Sequence, residues 1–205
     1  MLGCTGSFPK RQSTDDEDDD AHVYLHGYVS ARIMRQSGSE ENPLPMTISA
    51  AIMDGLVLSL TPFNSSCNYR SATVFGHATV VTDEEEKLWA MELITENIMQ
   101  GRWAASRTPP NKTEMTTTSI LRISIQTASA KVRAGEPIED RKDLKDDELR
   151  AGVWTGVVPS WLHWGEPVPA RENRVAKVPG YVTNWVNEQN TEGESTATKA
   201  ALDQE

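Results

Sequence analysis

The chain has little cysteine: two residues in 205, Cys4 and Cys67. Two thiols build neither a disulfide framework nor a four-ligand zinc site. They read as reduced thiols of an intracellular protein, so no metal is expected and the expected location is cytoplasmic. Long apolar runs are missing too. No stretch approaches the ~20 residues that span a bilayer. Met1-Leu2-Gly3-Cys4 has neither the charged nor the apolar region of a secretory signal. No membrane partner is expected. Positive charge is scarce, with 20 Lys and Arg against 30 Asp and Glu, a net −10. That balance excludes nonspecific binding to nucleic acid or anionic lipid, both of which need a basic surface. Six of the acids form one run, Asp15 to Asp20, and taking those six charges from −10 leaves −4. Phosphate-binding loops of known spacing are absent as well. Neither GxGxxG nor GxxxxGK[ST] occurs, which sets aside dinucleotide folds and P-loops.

What is there is a globular stretch between polar ends. Residues 1–20 finish in the acidic run, whose self-repulsion resists compaction, so a disordered tail is expected. Residues 187–205 are again polar and are expected to be disordered. One domain over 21–186 remains. Its pattern is mostly β. His22 to His26 reads as a short strand, with Gly27 breaking it and Val29 to Gln36 helical. Met46 to Ile52 and Leu56 to Leu60 flank Asp54-Gly55, a strong hairpin signal. Tyr69 to Val81 is a long strand with Ala72, Val74, Gly76, Ala78 and Val80 on one side. Asp83 caps a helix whose first turn holds Glu84, Glu85 and Glu86, and Leu88, Met91, Ile94 and Ile98 form its apolar face. Thr117 to Ile125 and Val153 to Trp164 read as strands, with a charged loop or short helix at 135–150. Several strands with one long helix predict a small antiparallel barrel rather than a parallel sheet.

Two segments carry candidate chemistry. In Tyr24-Leu25-His26-Gly27-Tyr28-Val29-Ser30-Ala31-Arg32 a strand enters a turn and a helix begins with Ser30 and Arg32. A hydroxyl and a forked cation there suit one phosphate, while an ordinary helix cap at Ser30 and a solvated charge at Arg32 are the readings the spacing alone favours. In Asn68-Tyr69-Arg70-Ser71 through Gly76-His77, a β-run carries Arg70 and Ser71, and Gly76 marks either a close approach by a backbone or a ligand, or a bulge. Tyr24 is open to a core role and Arg70 to an ion pair with an acid. His77 and His163 read as surface and packing residues.

Taken together, YLHGYVSARI (24–33), NYRSATVFGHATVVTDEEEK (68–87), SAKVRAGEP (129–137) and VWTGVVP (153–159) resemble the flavin-nucleotide-binding branch of the pyridoxamine 5′-phosphate oxidase-like superfamily. That branch includes relatives of nitroimidazole-resistance reductases, and the resemblance spans about residues 22–181. It implies a mainly β fold, an FMN-binding split β-barrel of antiparallel Greek-key type with one or two helices, and a homodimer. It implies FMN as cofactor, with Ser30 and Arg32 on its phosphate, Tyr24, His26 and Gly27 shaping the approach, and Tyr69, Arg70 and Ser71 beside the flavin. An FMN-dependent oxidoreductase is the leading expectation, its substrate and reductant (a nicotinamide or another donor) unnamed. No catalytic acid–base pair is legible. The alternatives are a noncatalytic flavin- or haem-binding protein, with His26 and His77 as the available axial ligands, and a cofactor-free relative acting through its dimer surface. Only 23 residues precede Tyr24, fewer than the family usually has, so an N-terminally shortened barrel is expected. No segment matches the substrate-phosphate motif of the true oxidase, which sets aside vitamin B6 synthesis.

Overall fold

In the computed structural model, which describes residues 2–9, 21–36 and 38–203, the alternating pattern becomes six strands. They are Gly3–Gly6 (β1), His22–Tyr28 (β2), Leu44–Leu58 (β3), Ser66–Val80 (β4), Thr118–Arg133 (β5) and Gly156–Pro159 (β6). They form one sheet in the order β1-β2-β5-β4-β3-β6. β1 lies antiparallel on β2, and β2 antiparallel on β5 with Tyr24 opposite Arg122 and His26 opposite Ile120. The antiparallel β fold expected from the sequence is what the chain adopts. Helices are Arg32–Gln36 (α1), Glu84–Ile98 (α2), Lys112–Thr117 (α3), Asp147–Gly152 (α4) and Gly180–Leu202 (α5).

The described residues fall into two compact units, Met1–Ile48 with Val74–Ala128, and Ser49–Thr73 with Ser129–Glu205. Strands β3, β4 and β5 have 15 or 16 residues, longer than strands usually run, and contribute to both.

The first unit has a core on each side of β2, as the period of two demands. Val23 joins Met34, Ala78, Leu121 and Ile123 on one side. Tyr24 joins Val81, Ala90, Ile94 and Ile120 on the other. The β4 side predicted from Val74, Ala78 and Val80 is the side that meets this core. Gly76 is explained by a backbone: a Cβ there would overlap the Ser124 carbonyl oxygen and meet Ile123 Cγ2 at 2.9 Å. Asp83 caps α2 as expected, its side chain accepting from the Glu86 amide at 2.7 Å. The buried face of α2 is rotated from the expected one. It consists of Glu86, Ala90 and Ile94, because Glu86 is drawn inward by Tyr24 and Arg122. β1 corrects another expectation: four residues of the supposed tail pair with β2. The acidic run lies outside the described residues.

The second unit contains the larger departures. Asp54-Gly55 makes no hairpin, and β3 runs straight through it. Asp54 is 3% exposed and is held by Arg70 through two bonds of 2.8 and 2.9 Å. Gly55 admits the β6 backbone, where a Cβ would stand 2.9 Å from the Val158 carbonyl oxygen. A tertiary partner overrides the local turn preference. The strand expected over 153–164 pairs only at Gly156–Pro159, antiparallel to Gly55–Leu58. Beyond it, Trp164 stacks edge-on against Trp185 at 4.9 Å. Its backbone exchanges two bonds with the Asn190 side chain, of 2.7 and 2.9 Å. The expected disordered tail at 187–205 is thus corrected through Leu202: it is most of α5, with Ala197 fully buried. Polar composition hid a helix whose apolar contacts are few but placed on one side.

Candidate functional site

The β2 segment carries five of the candidate residues, all in the first unit. Tyr24 is buried and its hydroxyl donates to Glu86 Oε1 at 2.9 Å. Burial pushes the Tyr24 phenol above the ordinary tyrosine range, and the bond to Glu86 pushes the same way. Glu86 also accepts from Arg122 Nη1 at 3.1 and 3.2 Å, and Arg122 Nη2 reaches Glu40 at 2.9 Å. A carboxylate this buried needs such donors. The network fixes β2 against α2 and β5.

Two residues on, His26 is half-buried. Its ring Nδ1 donates to the Leu2 carbonyl at 3.2 Å, and the same oxygen accepts the His26 backbone N–H at 3.2 Å. His26 lines a cavity of about 370 Å³ whose walls include Leu2, Met91, Ile94, Ile98 and Trp103. Gly27 is half-buried in β2 opposite Ser119. β2 then leaves through a turn closed by the Ala31 amide on the Tyr28 carbonyl, 2.8 Å. Ser30 and Arg32 follow, both exposed. Neither side chain has a hydrogen-bond or ion-pair partner among the described residues. The helix at this point is shorter than expected. α1 is five residues and starts at Arg32, so its dipole is small. Any counter-charge for an anion comes from the side chains.

Tyr69, Arg70 and Ser71 lie on β4 in the second unit. Arg70 makes the bidentate pair with Asp54 described above, and the ion-pair alternative raised by its sequence is the one observed. Tyr69 faces the Lys131 ammonium at 5.7 Å from the ring centre, and Ser71 donates to the Lys131 carbonyl at 3.2 Å. The Asp54–Arg70 pair forms part of a cleft of about 300 Å³, walled by Trp161, Leu162, Trp164 and Glu192. Sequence reasoning missed both hollows. The partners of Tyr24 and Arg70, Glu86 and Asp54, are 62 and 16 residues away. No local pattern connects them. Among the described residues no group of three or more His, Cys, Asp or Glu is placed to hold a metal ion. Among the same residues no helix is long and apolar enough to cross a membrane.

A family model described as pyridoxamine 5′-phosphate oxidase matches residues 15–132. No curated protein matches the chain. Among solved structures, the FAD and heme binding protein from Mycobacterium smegmatis superposes with a TM-score of 0.69 at 24% identity, covering 89% of this chain and 88% of that one. The flavocytochrome Anf3 from Azotobacter vinelandii superposes with a TM-score of 0.68 at 24% identity, covering 89% and 83%. A protein described as a 5-nitroimidazole antibiotic resistance protein from Bacteroides thetaiotaomicron reaches a TM-score of 0.39 at 13% identity over 63% of this chain and 75% of its own, too distant to bear on the reading.

Proposed function

Since this chain belongs to the pyridoxamine 5′-phosphate oxidase family, we propose that it is a flavin-nucleotide-binding protein of the FMN-dependent oxidoreductase type. The observation that carries this reading is the pair of exposed, uncommitted donors, Ser30 and Arg32, directly after the strand-turn of β2. A hydroxyl and a guanidinium with no partner among the described residues match the chemistry of a phosphate ester. Tyr24, His26 and Gly27 hold the strand that presents them. Tyr69, Arg70 and Ser71, which the resemblance names with them, lie on β4 in the second unit. Two similar structures whose descriptions name FAD with heme, or a flavocytochrome, support a flavin in this fold. When bound, the flavin supplies the electron chemistry, and the chain supplies binding and orientation.

The test uses Arg32. A hydrogen bond to a charged group contributes about 1.5–3 kcal/mol, which is roughly a ten- to hundredfold change in affinity. Arg32→Ala weakens FMN by that factor and riboflavin, which lacks the phosphate, far less. Arg35→Ala, at the last turn of α1, is the control. Equal losses for FMN and riboflavin overturn the assignment.

We further propose that the protein works as a homodimer. Trp154, Leu162, Val168, Val175 and Val178 are exposed along 153–178, Leu162 at 69% and Val168 at 89%. Apolar surface gathered on one segment is a mark of an interface, and the resemblance names a second copy as the occupant, through one self-complementary patch. Light scattering at micromolar concentration gives twice the chain mass; a stable monomer contradicts the proposal.

A further inference from the structure

One stripe of α5, Gln189, Glu192, Gly193 and Thr196, recurs at three and four residues and lines the cleft of the second unit. The segment after β6 adds Trp161 and Trp164, which are 38% and 41% exposed. Gly193 and Trp161 are in contact, since a Cβ at position 193 would stand 3.4 Å from Trp161 Cδ1. At the Asp54–Arg70 pair the charges of the cleft cancel, both Asp54 oxygens accepting from the Arg70 fork. The bond to Asp54 holds the Arg70 charge, and the Glu192 carboxylate adds to it from beyond hydrogen-bond reach. Glu192 itself is exposed and takes no hydrogen bond or ion pair among the described residues. The remaining lining is uncharged: Ser160, Gln189 and Thr196 are polar, Ile52 and Leu162 apolar. One negative charge beside two indoles is therefore left over.

That remainder selects a ligand. An anion is repelled by Glu192. A bare metal ion finds no group of three carboxylate, thiol or histidine ligands among the described residues. A cation whose charge is spread over carbon-bound hydrogens suits the cleft, because indole π-systems attract it and bury its carbons while a carboxylate supplies the counter-charge. The volume of about 300 Å³ fits a small molecule.

We propose that this cleft binds a small organic cation of the quaternary-ammonium class, held by Trp161 and Trp164 with Glu192 as counter-charge. The assignment does not rest on the flavin reading. Ser30 and Arg32 belong to the first unit, and Arg70, which the resemblance names beside a flavin, is left unchanged in the test.

The experiment is a nuclear magnetic resonance titration of the full chain with choline, read at the indole N–H signals. Trp161→Leu and Trp164→Leu identify the two signals of the cleft. Choline shifts both with a dissociation constant on the order of millimolar, and leaves those of Trp89 and Trp103, in the first unit, unmoved. The uncharged isostere, with carbon in place of the ammonium nitrogen, binds about fivefold more weakly. Glu192→Gln, at an exposed position where folding is not at stake, weakens choline by about fivefold and leaves the isostere unchanged. The difference between the two ligands thus reads the charge rather than the packing. Trp161→Leu weakens choline by about tenfold. Signals of Trp161 and Trp164 that do not move overturn the proposal. So does an isostere that binds as well as choline, or a Glu192→Gln or Trp161→Leu protein with wild-type choline affinity. FMN that abolishes the choline shifts gives the cleft to the flavin and overturns the proposal as well.

Discussion

Asp54 and Arg70 show how a single pair rewrites a local signal. Asp-Gly between two apolar runs is strong turn chemistry, yet the chain stays extended because the Asp54 carboxylate is buried against the Arg70 fork. The two members are unequally placed. The Asp54 side chain is 4% exposed and that of Arg70 46%. Removing the cation strands a buried charge, whereas removing the anion frees a guanidinium that already meets water. Arg70→Ala therefore destabilises by on the order of 3 kcal/mol, and Asp54→Ala by about 1 kcal/mol. Denaturant melts of both variants check the asymmetry; equal losses, or the reverse order, contradict it. The same residues mark the limit of sequence reading. That Arg70 would meet either a ligand or an acid was legible, but its partner is fixed by strand register. Likewise His26 stood out as a histidine beside a glycine, while its tautomer depends on the Leu2 carbonyl across β1 and β2.

At the scale of elements, the parts that could be read were those with strong periodicity and caps. Strand β4 and its core side follow from alternation, and α2 follows from Asp83 and three glutamates. Gly76 was legible as either a close approach or a bulge, and the structure settles on the approach, by the Ser124 carbonyl oxygen of β5. Gly76→Ala must push two strands apart, at a cost of about 1–3 kcal/mol. A chevron or equilibrium melt showing no loss places the neighbouring strand farther away than described. Helix α5 was not legible, because its support is tertiary. Asn68, fully buried on β4, donates to the Ala200 and Gly135 carbonyls at 3.1 Å each, and Asn190 grips the Trp164 backbone. Each bond contributes about 1 kcal/mol net. Ending the chain before Asn187 removes the Ala200 and Asn190 bonds and leaves the Asn68 amide nitrogen with the Gly135 carbonyl alone. A loss of about 2 kcal/mol or more corresponds to a melting temperature lower by roughly 4–8 °C. An unchanged melting temperature restores the reading of 187–205 as a tail.

For the whole molecule, the family and the antiparallel fold were both legible from four short blocks spread over the chain, since each block falls on a β-strand or a strand-to-helix turn of the structure. The proposed assembly and cofactor go beyond them. The central claim is that a flavin nucleotide occupies this fold in this chain, and one measurement meets it directly. The purified full chain is examined for a flavin absorption spectrum. The released compound is then identified by mass, with reconstitution by FMN and FAD if little is retained. A yellow protein releasing FMN is the predicted result. A colourless protein that takes up neither nucleotide contradicts the account.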